Sequence, residues 1–588
     1  MKTALRKAPR HRTVGEALRC ASESPWGVTF TDLREQERLI TWKETHGRAR
    51  RVAASLVALG IRPGDRIALV LGTSPEFLEA FFGTLLAGAI AVPLSPPLRL
   101  GRLDEFHAST ARMITAAGAR LVITEPRIGR LLGVAIATAR PTLGCVSVDG
   151  LRGSAHEVEL ACAPEDLAVI QFSSGSTVEP KPVALAHATV MAQLCAIDEL
   201  IPSDETTRQV GVSWLPLHHD MGLIGCLLSA VYKPDPLVLI PPELFLARPS
   251  LWLRAIARHR ATVSPAPSFA YSLCLQRIKD AELEGLSLAS WRYALNGAEP
   301  VSVGVLEAFG ERFSRWGFDP RALTPVYGMA EATLAVTFAP PGRRPRSVTV
   351  DPEELAENGV ATTPRRDHAR AIASVGVAVP GVEVVVRLDD GTEASERRVG
   401  TIWVRGPSIM VGYFADPVAT KQALVDGWLD TGDLGFISDG ELYVSGRAKD
   451  LVIIRGANHA PQEFEECLDA VAGVRQGCAV ALGLVADGCD GEQLLVLAES
   501  NAAQTLGLHE SIRAAILDRT GIRAHTVEVL SPGTLPRTSS GKLRRAEALR
   551  RFITGTLSAP RPVSPLRVAG AMARSMLAFA ALRLTRAG

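Results

Sequence analysis

The sequence predicts an α/β protein with a large N-terminal domain of layered α/β subdomains plus a β-rich subdomain, followed by a small α+β C-terminal domain. Three observations carry this. Helix-like and strand-like segments alternate over the first 330 residues. Short alternating strands punctuated by Gly and Asp follow after residue 380. From Lys449 a new run of mixed elements begins, about 100 residues long, a normal domain size.

In order along the chain, ITWKETHGRARRVAASLVALGIRPGDRIALVL (40–71) places Ala, Val and Leu on one side of a helix, turns around Pro63 to Asp65, then becomes β-rich. EFLEAFFGTLLAGAIAVPLS repeats helix then strand. LAVIQF (167–172), WRYALNG (291–297) and ALTPVYG (322–328) continue the alternation expected of largely parallel sheets. Residues 340–370, PPGRRPRSVTVDPEELAENGVATTPRRDHAR, are polar and rich in Pro and Arg with a short helical middle, and read as a surface insertion. VEVVVRL, GTIWVRG and ELYVSG then alternate in antiparallel fashion. Helix QEFEECLDAVAG, strands CAVALGLV and QLLVLAES and helix LHESIRAAILDRT make up the small domain. The expected division is 1–448, 449–555 and a basic tail 556–588, with no repeat of solenoid length.

With 588 residues, 47% hydrophobic and 21% charged, the chain has enough material for several cores. Nine cysteines with no C-x-x-C pair indicate neither a zinc ribbon nor a disulfide framework, and a cytoplasmic setting is expected. Apolar runs such as GLIGCLLSAV (222–231) fall short of the roughly 20 residues of a membrane span. The N-terminus lacks the apolar stretch of a secretory signal, while a transit peptide stays open. Net charge is +2, but residues 535–588 carry +10 and the remainder −8. That end favours an anionic partner. Nucleic acid is not expected, because aromatics are 5% of residues and scarce there. The tail, with Arg567, Arg574, Arg583 and Arg586 spread around a helix rather than on one face, reads as loose, with weak membrane contact or carrier docking as further readings.

QFSSGSTVEPK (171–181) is a strand running into a hydroxyl-rich turn, where hydroxyls and backbone N–H groups can cradle phosphate. It lacks the G-x-x-x-x-G-K-[ST] spacing of a Walker A loop. His218, His219 and Asp220 have neither the helical i, i+4 spacing nor a nearby third ligand for zinc, and no G-x-S-x-G elbow accompanies them.

The order QFSSGSTVEPK, SWLPLHHDMGLIG, NGAEPV, VYGMAEATL, GWLDTGDLG, SGRAKDLVIIRGANHAPQEFE and LPRTSSGKLRR resembles the adenylate-forming superfamily of acyl-CoA ligases, luciferases and adenylation domains, over residues 28–553. Within it the chain looks most like the fatty acyl-AMP ligase branch, on the WLPLHHDMGLIG and NGAEPV wording and the 340–370 insertion. The resemblance implies ATP as substrate and Mg²⁺ as cofactor. It makes Ser173, Ser174, Gly175, Ser176, Thr177 and Lys181 the phosphate grip, with Pro182 replacing the usual glycine and stiffening the loop. Glu331 and Thr177 would hold Mg²⁺, and Lys542 would reach the α-phosphate and carboxylate oxygens. Gly297, Ala298, Glu299 and Pro300 form one wall of an adenine slot, with Tyr327, Gly328 and Met329 opposite. Asp433 and Arg447 hold the ribose, although an Asp such as Asp433 is otherwise a common turn residue. His219, Asp220, Met221 and Gly222 border the acyl entrance, Asp220 alternatively standing where amino-acid-activating relatives hold an ammonium, and Lys449 and Asp450 form the hinge of a mobile C-terminal domain.

A fatty carboxylate is ionised at neutral pH and attacks phosphorus without a general base, so the site need supply only alignment and positive charge. The implied reaction is fatty acid activation to an acyl-adenylate with release of pyrophosphate. Acyl transfer follows, to the phosphopantetheine of a separate acyl carrier protein or polyketide synthase carrier domain, the insertion hindering transfer to CoA. The alternatives are a fatty acyl-CoA ligase, an amino- or aryl-acid adenylating enzyme, and an adenylate-binding pseudoenzyme.

Overall fold

Strands Arg66–Val70, Ile90–Leu94, Leu121–Thr124 and Leu167–Phe172 are almost wholly buried, as strands covered on both faces must be, and they pair in parallel with Gly144–Ser147 beyond them. Antiparallel Pro182–Ala186 and Gly412–Tyr413 complete a seven-stranded sheet. The computed structural model describes all residues except 155, 174–179, 205, 365–368, 486–490, 502–506, 539–540 and 588, and the side chains of 583–587. Helix Trp42–Ala58 opens on a capping box in which Thr41 and Glu44 satisfy each other's backbone N–H, and it packs against helix Pro75–Leu86.

A nine-stranded sheet forms the second layer. Its parallel centre runs through Gly27–Thr31, Leu237–Leu239, Gly211–Ser213, Val263–Ala266, Tyr293–Asn296 and Leu323–Gly328. Fully buried Trp252, Tyr271, Trp291 and Phe309 meet edge to face behind it, with centroids 4.9–6.1 Å apart. The β-rich part is a five-stranded antiparallel sheet built on Glu383–Arg387, Gly400–Arg405, Trp428–Ser438 and Glu441–Arg447.

Segment 340–370 is more than a polar surface loop. Strands Ser347–Val350 and Arg370–Ala373 pair beside helix Pro352–Asn358, and Val350, Ala361 and Ile372 bury themselves on Phe436 and Tyr443. Buried Glu441, which binds Arg343, Arg346 and Ser374, fastens its base. The helix touches strand Ala457–His459 of the small domain.

The C-terminal domain wraps the sheet Val474–Leu484, Gln493–Ser500 and Thr526–Leu530 with helices Leu508–Thr520 and Arg545–Ile553, and has its own apolar clusters. The expected helix at 462–473 is shorter: Pro461–Glu465 followed by a 3₁₀ turn, Glu466–Leu468. The tail is not loose. Pro565–Ala587 is a helix packed along helix Pro126–Ala139, so small and apolar residues rather than arginines choose its inner face. No helix among the described residues is long and apolar enough to cross a membrane.

Candidate active site

The C-terminal ends of the parallel strands of both sheets and the inner face of the small domain line one cleft of about 2260 Å³. In open α/β sheets this is the side where ligands bind.

Strand Leu167–Phe172 enters the cleft and is closed by Ser173, whose N–H donates to the Lys181 carbonyl at 2.9 Å and whose hydroxyl accepts from Lys181 N–H at 3.2 Å. Pro182 pairs with Phe172 at the start of the returning strand. Ser174, Gly175, Ser176 and Thr177 lie outside the described residues. The ammonium of Lys181 lies 4.6 Å from the centre of the Tyr413 ring, and the Tyr413 hydroxyl donates to Glu331 at 3.1 Å. Sequence reasoning missed Tyr413, which lies 82 positions from Glu331 and in no recognisable spacing.

Burial pushes the Glu331 carboxyl up, against the pull of Tyr413. A buried carboxylate that lines the cleft with one oxygen tied to a phenol suits a hard cation such as Mg²⁺. Among the described residues no group of three or more His, Cys, Asp or Glu is placed to hold a metal ion.

The slot walls come from two adjacent strand ends. A Cβ on Gly297 would lie 2.7 Å from the Val326 carbonyl, and one on Gly328 would lie 1.7 Å from that of Leu334, so only glycine allows these backbones to approach. Ala298 (φ +68°) and Thr333 (φ +67°) hold left-handed conformations costly for residues with a Cβ, here beside the cleft. Glu299 accepts from Phe269 N–H at 2.6 Å, and burial raises its pKa. Pro300 accepts from Ser268.

Asp433 is not a turn residue. It lies within strand Trp428–Ser438 opposite Arg447. One carboxylate oxygen takes the Arg447 Nε–H at 2.7 Å and the other the Tyr327 hydroxyl at 2.8 Å. Each oxygen keeps a lone pair for a further donor such as a ribose hydroxyl.

Gln171 donates to the His218 carbonyl at 2.7 Å and ties the HHD segment to the strand beneath it. Burial holds His218 neutral, with a pKa of about 3. His219 Nδ1 is 2.7 Å from Asp220, which also takes the Met221 N–H at 2.7 Å. Met221 and Gly222 begin a short helix that widens into a π-helix, Leu223–Leu228, on the apolar side of the cleft. Val212, Trp214, Cys226, Leu334 and Phe338 line the same side.

From the small domain, hairpin Arg537–Leu543 inserts Lys542. Thr538 and Lys542 bond to each other across it, and Gly541, at φ +95°, lies beside Phe269. Burial lowers the Lys542 amine, while the carboxylates of Asp220 and Glu299 pull it back up. That Asp220 faces Lys542 was not legible from the sequence. Lys449 is exposed in the turn Ala448–Asp450, and Asp450 meets Arg545 at 3.5 Å.

A parallel strand ending at the cleft, an Asp–Arg pair beside two close-packed glycines and a lysine delivered from a second domain share one cleft. The chain belongs to the AMP-binding enzyme family, whose profile matches residues 19–414. It is 37% identical over 555 residues to a Caulobacter vibrioides protein named as an acyl-CoA synthetase, covering 92% of this chain and 96% of that one. It is 32% identical over 543 residues to the medium-chain-fatty-acid–acyl-carrier-protein ligase JamA of Moorena producens, covering 88% and 90%. A solved structure from studies of fatty acyl-adenylate ligases of E. coli and L. pneumophila superposes with a TM-score of 0.88 at 35% identity, covering 94% and 99%.

Proposed function

We propose that this AMP-forming ligase activates a fatty acid as its acyl-adenylate and passes the acyl group to the phosphopantetheine thiol of a separate carrier protein. The observation that carries the first half is that Lys542 of the small domain lines the same cleft as Asp220, Glu299, Asp433, Arg447 and Glu331. ATP would lie with adenine against Gly297–Pro300 and Tyr327–Met329, ribose on Asp433 and phosphates toward Ser173 and Lys181. The substrate carboxylate oxygen attacks the α-phosphorus, the bond to the pyrophosphate oxygen breaks, and no proton moves. Lys542 stabilises the charge that builds on the α-phosphate. Mg²⁺ held by Glu331 would neutralise phosphate charge.

The apolar side of the cleft, from Trp214 to Phe338, supports an alkyl chain as the remainder of the acid, in keeping with the relatives' names. In the second half-reaction sulfur bonds to the acyl carbon and AMP leaves, which calls for the small domain to turn about Lys449 and Asp450. A carrier acceptor is favoured by the insertion, whose helix Pro352–Asn358 touches strand Ala457–His459 and braces the small domain. The second reading, CoA as acceptor, is favoured by the Caulobacter relative.

Purified chain with ATP, Mg²⁺ and a panel of fatty acids should exchange pyrophosphate into ATP and yield acyl-adenylate by mass spectrometry. Holo-carrier should become acylated, with little acyl-CoA formed. Excising the helix Pro352–Asn358 should raise acyl-CoA formation. Absence of exchange with every acid refutes the activity, and acyl-CoA formed as fast as acyl-carrier refutes the choice of acceptor.

A further inference from the structure

None of the described side chains of the C-terminal helix Pro565–Ala587 lines the cleft, yet its contacts lead to the domain that carries Lys542. Val568, Ala571, Met572, Ser575 and Phe579 recur at helical spacing and turn inward. Ser575 is fully buried, and its hydroxyl accepts the Gly133 N–H at 2.6 Å. A Cβ on Gly133 would lie 2.0 Å from the Ser575 carbonyl, so the two helices touch backbone to backbone. Ala571 and Met572 join Leu103, Phe106 and Leu131 in one cluster, and Phe579 joins that of Ile128, Leu132 and Ile136.

The connector between the small domain and this helix is also gripped. One guanidinium nitrogen of Arg102 lies within hydrogen-bond distance of the carbonyls of Gly533 (2.9 Å), Thr534 (3.2 Å) and Ser558 (3.0 Å). The Arg561 carbonyl packs where a Cβ of Gly101 would stand, 2.6 Å away, and Pro560 fills the space between Gly101 and Gly533. Glu105 holds Arg551 by two bonds of 3.0 Å. Segment 101–105 of the large domain therefore clasps the small domain and the connector together.

We propose that the C-terminal helix is an anchor that positions Lys542: docked on Gly133, it holds the small domain in the orientation that forms acyl-adenylate, and the clasp at Arg102 must open before that domain can turn to admit a thiol. This rests on the two half-reactions proposed above. Ten residues from Gly555 to Pro565 span at most about 35 Å when extended, so a docked helix limits the travel of the small domain, and packing of the connector takes up the slack. Contacts made in only one of two orientations shift the balance toward it.

Two full-length variants test this. Leucine is a good helix former, but in Gly133→Leu it cannot fit beneath the Ser575 carbonyl, so the C-terminal helix must lift. Arg102→Ala opens the clasp while leaving the helix docked. In Gly133→Leu, trypsin should cut after Arg567 and Arg574 about tenfold faster. In both variants hydrogen exchange at 537–545 should rise. The ratio of thiol transfer, measured from preformed acyl-adenylate, to single-turnover acyl-adenylate formation should rise about fivefold or more, the size of a modest population shift. If the connector is freed while exchange at 537–545 and the ratio stay at wild-type values, the anchor is refuted. Should Gly133→Leu lower the melting temperature of the whole chain, Arg102→Ala decides alone. Were the wild type to make no acyl-adenylate, the proposed function would fall, and exchange at 537–545 would still decide whether the anchor holds the domain.

Discussion

Replacing Lys542 with alanine removes a cation from the cleft and leaves the nearby negative charges of Asp220 and Glu299 without its attraction. One unit charge at about 4 Å in a partly buried protein setting contributes about 4 kcal/mol. Loss of a single group aimed at developing oxyanion charge costs a comparable amount, about 3–4 kcal/mol. Adenylation should therefore slow by roughly a hundred- to a thousandfold. The fold should survive, because Lys542 lies on a hairpin outside both apolar clusters of the small domain. Rapid-quench measurement of acyl-adenylate isolates the step, and transfer from preformed acyl-adenylate should be nearly unchanged. Burial lowers the amine below its usual range, so wild-type adenylation should decline on the alkaline side as Lys542 deprotonates, at a pH below that of a free lysine. Lys542→Arg should remove that decline while retaining part of the rate, because guanidinium stays charged. Adenylation by Lys542→Ala within tenfold of wild type would refute the reasoning, as would an alkaline limb that persists in Lys542→Arg.

Tyr413→Phe removes the donor that holds the Glu331 carboxyl down, so the acid limb of adenylation should move to higher pH and the Mg²⁺ requirement rise severalfold, in line with a loss of about 1 kcal/mol; a Mg²⁺ titration of pyrophosphate exchange measures this. Burial pushes the Asp235 carboxyl up to about 6 from 3.8, despite Ser203 and Arg208 beside it. The native state then binds the extra proton between those values, stability falls as pH rises through that window, and at pH 7 the buried charge costs about 3 kcal/mol. Asp235→Asn should accordingly be more stable than wild type at pH 7 and lose that advantage below pH 4, as read from urea midpoints at the two pH values.

Much of the fold was readable because apolar strands ended in turn residues. Leu167–Phe172 and Gln493–Ser500 have the bounds their hydropathy suggests, since strands covered on both faces must be apolar throughout. The tail escaped the same reading. Its docking depends on Ala571, Ser575 and Gly133, small residues that let backbones approach and leave little trace in hydropathy, while its arginines suggested a solvated surface. Segment 340–370 looked polar because its buried residues, Val350, Ala361 and Ile372, are few and find their cover on distant Phe436 and Tyr443. In the cleft, residues within continuous motifs could be assembled in advance, among them Asp433 and Arg447. Encounters between distant segments, such as the bond of Tyr413 to Glu331 and the charge interaction of Lys542 with Asp220, depend on how the sheets and domains meet and have no local signature.

The pairing of Asp433 with Arg447 follows from the ladder between their strands, which a two-residue reversal, Asp439–Gly440, with φ of +51° and +74°, starts at its far end and a bulge between Leu434 and Gly435 shifts by one residue. Such a type I′ link fixes which residues stand opposite one another. Adding or deleting a single residue there would turn one member of the pair to the other side of the sheet. The alignment of the two groups proposed to hold the ribose is thus inherited from a tight bend six residues beyond Asp433 and the bulge between them, where loop-length variation is least tolerable.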